Sequence, residues 1–269
     1  MIIADMHTHS ENSHDSRANI LKNADFAYNN GIDIFAVTDH ADIQFYNERN
    51  IYNAIKNSVK EAKEANEKYK GKVKVLHGVE LGESIWSMHY TREILDSNEF
   101  DVVLLSVHDL RTRKILLPFS NFDFTALTRE ELFDFINKYF EYLLLSLKSV
   151  KCDVCAHLTL PFRYINNKCK LNLSTRLFED KITEILKYLI ENNIALEANV
   201  SKSNGGMIPE EWIFEKYKAL GGCLITIGSD AHVTENLGCG ILETAKLLKN
   251  MGFENYYYYE KRKPIAIKL

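Results

Sequence analysis

The sequence predicts an α/β fold in which parallel strands close, or nearly close, into a barrel. Two observations carry this expectation. A strand-like apolar run followed by a helical run recurs seven times, with no linker-like Pro, Gly or Ser stretch between the units. Most of these apolar runs also end in His, Asp or Glu. An open, doubly wound sheet is the structural alternative, and it would gather ligand residues at one crossover point. Residues drawn from six strand ends suit a ring of strands better, because a ring presents them all at one mouth. At 269 residues the chain is in range for one such barrel, read as a single domain over 1–269.

The elements follow in order. Strand 1 covers about 2–7, and a polar loop, 10–16, follows it. Ile20, Leu21, Ala24, Ala27 and Tyr28 have helical spacing, and Gly31 stops that helix. The second strand, 32–38, is almost wholly apolar, as a strand buried on both faces would be. A charged helix over 48–70 carries Ile51, Ile55, Val59 and Ala62 on one stripe. Strand 3 is 73–79, followed by a loop and a short helix near 91–97. Strand 4 is 101–107, and an irregular segment covers 110–127. Thr128 with Glu131 reads as a helix start, and that helix runs to about Val150. Strand 5 is 152–156, followed by a loop over 158–164 and a helix over 174–192. Strand 6 is 194–198, with a Gly-containing loop at 203–206 and a helix from near Pro209. Strand 7 is 223–227, then comes a helix over 240–250. The tail from Tyr256 to Ile267 reads as one more strand whose tyrosines pack rather than act.

Composition excludes several classes. A net charge of −4 gives no nucleic-acid surface. No apolar run approaches the ~20 residues that span a bilayer, and no signal peptide opens the chain. Five scattered cysteines suit a reducing compartment, so the expected location is cytoplasmic. Cys152 and Cys155 are expected to be buried core thiols. Nothing decides between monomer and homodimer.

The chemistry is written at the strand ends. His7 and His9 lie two apart at the end of strand 1, so both point to one side and can reach one ion. Alone, the pair is a weak signal. It gains weight because Asp39-His40, Glu80, His108, His157 and Asp230-Ala231-His232 repeat the arrangement. With Asp15, the candidates are His7, His9, Asp15, His40, Glu80, His108, His157, Asp230 and His232. Imidazoles and carboxylates are the ligand set of zinc, iron and manganese. The set is too large for one ion, so two or three are implied. Glu80 is the natural bridge. Water between two such ions becomes hydroxide near neutral pH. His77, three positions before Glu80, faces the other way and reads as structural. Glu83 and Asp109 read as supporting or solvated groups. Asp5 and Asp39 either orient the adjacent histidines or cap loops. His89 is either a surface residue or a substrate contact. Asn199, at the end of strand 6, is expected to hydrogen-bond either substrate or ligands, or else loop backbone.

Taken together, His7-Thr8-His9, Thr38-Asp39-His40, Gly78-Val79-Glu80, Ser106-Val107-His108, His157 and Gly228-Ser229-Asp230-Ala231-His232 resemble, in order, the motifs of the polymerase-and-histidinol-phosphatase (PHP) superfamily. The resemblance covers nearly the whole chain. The surroundings of His108, His157 and Leu196-Glu197-Ala198-Asn199 look most like the stand-alone histidinol-phosphate phosphatases. The resemblance implies a distorted (β/α)7 TIM-like barrel with three divalent ions, Zn2+ with Fe2+ or Mn2+ as alternatives. It assigns His7, His9, Glu80 and Asp230 to the first ion. Glu80, His108 and His157 go to the second, and His40, His232 and Asp15 to the third. His14 competes with Asp15 for the last place, and Asp15 is preferred. An Asp there makes the third site harder and loosens its preference for zinc.

The implied reaction is hydrolysis of a phosphate monoester by a metal-bridging hydroxide, most specifically of L-histidinol phosphate in histidine biosynthesis. Asp230 or His232 would handle a proton. Arg163 is the expected phosphate clamp, since a guanidinium fork suits phosphate oxygens. Arg111, Arg113 and Lys114 stand behind it. The competing readings are a PHP phosphoesterase acting on a nucleotide, sugar phosphate or phosphotyrosine, and a non-catalytic metal-binding PHP domain. A related amidohydrolase is disfavoured, because no lysine sits at a strand end where it could bridge metals.

Overall fold

The structure is a computed structural model and describes residues 2–112, 114–115, 117–202 and 205–269. Its centre is a parallel sheet built from β1 (Ala4–Thr8), β2 (Ile34–Val37), β3 (His40–Asp42), β4 (Lys74–Gly82), β5 (Val102–Ser106), β6 (Val154–Cys155), β7 (Ala195–Asn199) and β8 (Ile225–Gly228). The order is β1-β2-β4-β5-β6-β7-β8, and β3 continues the β2 side of β4. At the carboxyl end the ring is drawn shut by an isolated parallel bridge between Thr8 and Ala231. There His9 N–H donates to Ala231 O at 2.9 Å and Asp230 N–H donates to His7 O at 2.8 Å. This is the distorted seven-fold β/α barrel that the sequence suggests, not an open sheet.

The strands are apolar on both faces because both faces are covered. Every residue of β1, β2, β5 and β7 is buried. The helices that follow the strands include α1 (Ile20–Asn30), α2 (Ile51–Lys68), α3 (Met88–Ser97) and α4 (Arg129–Ser149). Each lays one apolar stripe on the barrel. In α2 that stripe is Ile51, Ile55, Val59, Ala62 and Ala65. Gly31 ends α1 at φ 70°, a left-handed position that glycine takes without steric penalty. Thr128 opens α4 through a reciprocal capping box with Glu131.

Several boundaries differ from the sequence expectation. The second strand breaks at Thr38-Asp39 and resumes as β3, which keeps pairing with β4. The third helix begins at Met88 rather than near 91, because Ser87 Oγ accepts the Tyr90 N–H. The loop expected at 158–164 is a helical turn, α5 (Leu160–Phe162), running into a π-helical turn over Arg163–Lys168. After it come α6 (Glu179–Glu191), α7 (Glu211–Ala219) and α8 (Ile241–Asn250). Within the expected Gly-containing loop, residues 203 and 204 lie outside the described residues.

The tail is an antiparallel hairpin, β9 (Asn255–Glu260) and β10 (Lys263–Lys268), rather than one strand. It covers the amino-terminal end of the barrel. Tyr256 accepts from Ala4 N–H and donates to Ile2 O, and Tyr259 donates to Asp153 O. The tyrosines there are packing residues, as their pattern suggests. With that end covered, the carboxyl end is left as the mouth. Cys152 and Cys155 are buried free thiols, and burial pushes the Cys155 thiol well up, away from reactivity.

Candidate metal centre

Glu80 sits inside β4 and is fully buried. Its two oxygens meet five imidazoles. Oε1 lies 2.7 Å from His157 Nε2 and 3.1 Å from His108 Nε2. Oε2 lies 2.9 Å from His40 Nδ1, 3.4 Å from His7 Nε2 and 3.6 Å from His9 Nε2. The register of the sheet produces this, since His40 on β3 lies directly beside Glu80 on β4. His7 and His9 come from the end of β1, His108 from beyond β5, and His157 from beyond β6.

The remaining candidates lie against this group. Asp230 Oδ1 is 3.3 Å from His9 Nε2 and 3.8 Å from His7 Nε2. Asp15 lies between His40 and His232, at 3.6 and 3.5 Å. His14 instead turns its Nδ1 towards Arg49, 3.2 Å away. Four sets of three within the group bring their ligand atoms inside 4.8 Å of one another: His7-His9-Asp230, His7-Glu80-His157, His40-Glu80-His108 and His9-His40-His232. Asp42, Glu83 and His108 form a fifth such set.

The donor chemistry fits divalent ions. His9 Nδ1 donates to Ser13 Oγ at 3.3 Å, since that hydroxyl spends its proton on Asp39. The Nε2 lone pair of His9 therefore points at His7 Nε2, 3.1 Å away. His7 Nδ1 is tied to Glu197 at 2.6 Å, so its Nε2 also faces inward. Glu80 Oε2 and His40 Nδ1 are close but out of hydrogen-bonding alignment, and both are buried without a hydrogen bond, as is His157 Nδ1. Buried lone pairs that converge without donors are costly unless a cation joins them.

Without metal, protons take the place of that cation. Burial disfavours charging His7, but Glu197, Glu80 and Asp230 outweigh it and hold its pKa well above the ordinary value. Burial likewise opposes charging His40, and Glu80 and Asp42 raise it to about 9. The same carboxylates, against burial, raise His108. His9 goes the other way, lowered by burial and by His40 and His232. Burial would raise Asp230, yet His7, His9 and Arg163 hold it well below the carboxylate range.

Of the supporting residues, Asp5, Asp39 and Glu83 are singled out in the sequence, whereas Glu197 and Asp42 are not. Glu197 on β7 orients His7 and also accepts the His157 N–H at 2.6 Å. A glutamate inside an otherwise apolar strand was the available signal. Asp42 accepts from His108 Nδ1 at 3.0 Å and pairs with Arg49 at 2.7 Å. Its signal was the two-residue spacing from His40 on one strand face. Asp39 holds Ser10, Ser13 and Ser58, and so supports His9 through Ser13. Asp5 ties down Ser229 and Gly238, fixing the segment that carries Asp230. Glu83 accepts the backbone N–H groups of His108 and Asp109. Three of these residues hold left-handed backbones: Glu83 at φ 47°, His157 at φ 25° and Asp230 at φ 52°. Such strain persists where surrounding bonds over-determine it, as functional sites often show.

Beside the ligands opens a cleft of about 260 Å³, lined among others by Asp15, His40, Arg49, His108, Asp109, His157, Arg163, Tyr164, Asp230 and His232. Arg163 reaches Asp230 at 3.2 Å and Asn199 at 3.4 Å, and its Nε is buried without a hydrogen bond. Asn199 lies beneath Arg163, also touching Glu197 and the Ser201 N–H, rather than in the cleft. His89 is on the exposed face of α3, outside the cleft lining, so the structure does not bring it to the site. His77 pairs with Asp101 at 2.9 Å on the other side of β4, a structural role. Arg111 binds Asp109 and Lys114 binds Glu131. Arg113 lies outside the described residues.

Comparison with known proteins agrees with this geometry. A family profile described as PHP domain matches residues 5–201. A protein named Probable histidinol-phosphatase in Thermotoga maritima is 33% identical over 267 residues, covering 98% of this chain and 99% of its own. One of the same name in Clostridium acetobutylicum is 28% identical over 264 residues, covering 97% and 98%. Among solved structures, the fold is similar to that of histidinol phosphate phosphatase from Lactococcus lactis, complexed with zinc, L-histidinol and phosphate. That TM-score is 0.77 at 22% identity, covering 98% of each chain.

Two outcomes are expected. Ions displace protons from imidazoles that carboxylates keep charged. Adding Zn2+ to metal-free protein at pH 7 in weak buffer should therefore release protons, read with an indicator dye. The release should shrink as pH rises through about 9, where His40 has already lost its proton. The sign for stability is the same: in the metal-free protein the His40 contribution is complete below its ordinary value and lost as pH rises through about 9. Release that does not vary between pH 7 and 10 contradicts this. Second, Glu197→Gln should weaken metal affinity or activity roughly 10- to 100-fold, the usual cost of losing a carboxylate behind a ligating histidine. A metal titration that matches the wild type would refute the orienting role.

Proposed function

Because the chain belongs to the PHP domain family, we propose that it is a metal-dependent phosphoesterase that hydrolyses L-histidinol phosphate to L-histidinol and phosphate. The observation that carries this is the convergence of five imidazoles on Glu80 beside a cleft holding Arg163. The near-full-length likeness to histidinol-phosphatases supports the substrate. On this reading residues 1–269 act as one domain, in the cytoplasm, on a small phosphorylated substrate.

His7, His9, Glu80 and Asp230 would hold one ion, Glu80, His108 and His157 a second, and His40, His232 and Asp15 a third. Zinc suits the imidazole-rich positions, and Fe2+ or Mn2+ suits the harder set containing Asp15. Bound divalent ions supply charge neutralisation on the phosphoryl oxygens and activation of water near neutral pH.

The chain's own residues do the rest. Arg163 lines the cleft, and its planar guanidinium is suited to two phosphate oxygens. Asp230 and Asn199 hold that guanidinium in place. Asp230, whose Oδ2 faces Arg163 rather than the imidazoles, or His232 would handle the proton that the attacking water loses and the leaving oxygen gains. Both line the cleft. Monoester hydrolysis is among the slowest uncatalysed reactions, so positioned charge is what the site must provide.

The test is phosphate release from L-histidinol phosphate beside AMP, glucose 6-phosphate and phosphotyrosine. A kcat/KM at least about a hundredfold higher for L-histidinol phosphate is expected, since a site with polar groups matched to its substrate rejects esters that leave them unpaired. Equal rates, or a preference for another ester, would sink the substrate assignment while leaving the phosphoesterase. Arg163→Ala should lower kcat/KM about 10²- to 10³-fold, the scale of losing one preorganised electrostatic contact. An unchanged value would show that the clamp lies elsewhere.

A further inference from the structure

Arg49, in the short segment between β3 and α2, belongs neither to the ligand set nor to the phosphate clamp. It is nevertheless fixed at both ends. Its backbone N–H donates to Phe45 O at 2.9 Å, and its guanidinium lies over the Phe45 ring, 3.9 Å from the centroid. From there one nitrogen, Nη1, meets two partners. It donates to Asp42 Oδ2 at 2.7 Å and to His14 Nδ1 at 3.2 Å. Arginine keeps its protons, so both partners are acceptors.

The two partners lead to different parts of the metal centre. Asp42 uses its other oxygen, Oδ1, on His108 Nδ1 at 3.0 Å, and His108 Nε2 faces Glu80 Oε1 at 3.1 Å. The Asp42 side chain is 5% exposed, and removing one partner of so buried a pair leaves the other charge uncompensated. With Arg49 on Oδ2, Oδ1 stays free to fix the His108 ring with Nε2 inward. His14 immediately precedes Asp15, and its Nδ1 lies 3.8 Å from Asp15 Oδ1. The Asp15 carboxylate lies between His40 and His232. Its side chain is 43% exposed, more than that of any other of the nine candidate ligands. Packing therefore restrains Asp15 least, and an anchor on the adjacent residue matters most there.

We infer that Arg49 is a positioning residue that couples two metal positions, holding His108 in place through Asp42 and Asp15 in place through His14. This rests on the ligand assignment of the proposed function and extends it: the contacts of Arg49 lead to the second and third positions, which share one anchor.

The experiment titrates metal-free wild type, Arg49→Met, Arg49→Lys, His14→Ala and Asp42→Asn with Co2+, followed by calorimetry and by the visible spectrum of the bound ion. Wild type should take up three ions. Arg49→Met should bind two of them about 10- to 100-fold more weakly, the usual cost of losing a group behind a ligand, and the other unchanged. His14→Ala should weaken one of these two and Asp42→Asn the other, each with its own change in the spectrum. Arg49→Lys should weaken the same two ions by less, since an ammonium keeps the charge but lacks the planar fork. That variant decides the matter if Arg49→Met fails to fold. An Arg49→Met titration that superimposes on the wild type overturns the inference, and a raised KM for L-histidinol phosphate beside it would make Arg49 a substrate contact instead. Equal weakening of every ion, the mark of a general loss of order, overturns it too. A wild type that takes up fewer than three ions overturns the ligand assignment and the inference with it.

Discussion

Glu80 is the constraint on which the site depends. A carboxylate with no exposed surface is tolerable only where positive charge compensates it. Here the compensation comes from five imidazoles that belong to four different strand ends. No local stretch of chain could supply them. His7 and His9 reach Glu80 across β2, and the bridge between Thr8 and Ala231 closes the barrel and brings Asp230, beyond the last strand, within 3.3 Å of His9. The burial of one glutamate and the topology of the sheet are thus one requirement seen at two scales.

Around that point the structure spends polar groups on rigidity. Glu197 fixes a ring and a strained backbone at once, through His7 Nδ1 and the His157 N–H. Asp42 fixes His108, Asp39 fixes the loop that faces His9, and Asp5 fixes the segment of Asp230. Each is a buried carboxylate satisfied by neighbours, which is the form in which buried charge adds order rather than instability. Among the described residues the amino-terminal end of the barrel has no comparable set of convergent ligands, and it is covered by the β9–β10 hairpin. Chemistry and stability are divided between the two ends, as in β/α barrels generally.

Much of this was legible in the sequence for a simple reason. Strand ends are short, apolar up to their last residue, and then abruptly polar, so His7, His40, Glu80, His108 and Asp230 stand out against their surroundings. Residues whose role is to support another residue do not stand out. Glu197 reads as one charge in an apolar strand, and Asp42 as a polar residue after the end of a strand, because the break at Thr38-Asp39 hid β3. The 158–164 segment reads as a loop, whereas Pro161 occupies the first turn of α5, where proline is tolerated. His89 is plausible by position along the chain, but it is exposed on α3 and outside the cleft lining.

The most direct test of the central claim is the number and position of bound ions. Protein purified without chelator and reloaded with Zn2+ or Mn2+ would be measured by elemental analysis, and its crystals by anomalous diffraction at the metal edge. The account predicts more than one ion per chain, three when fully loaded, with anomalous peaks against Glu80 and its imidazoles and one beside Asp15. A single ion, or peaks away from Glu80, would contradict it.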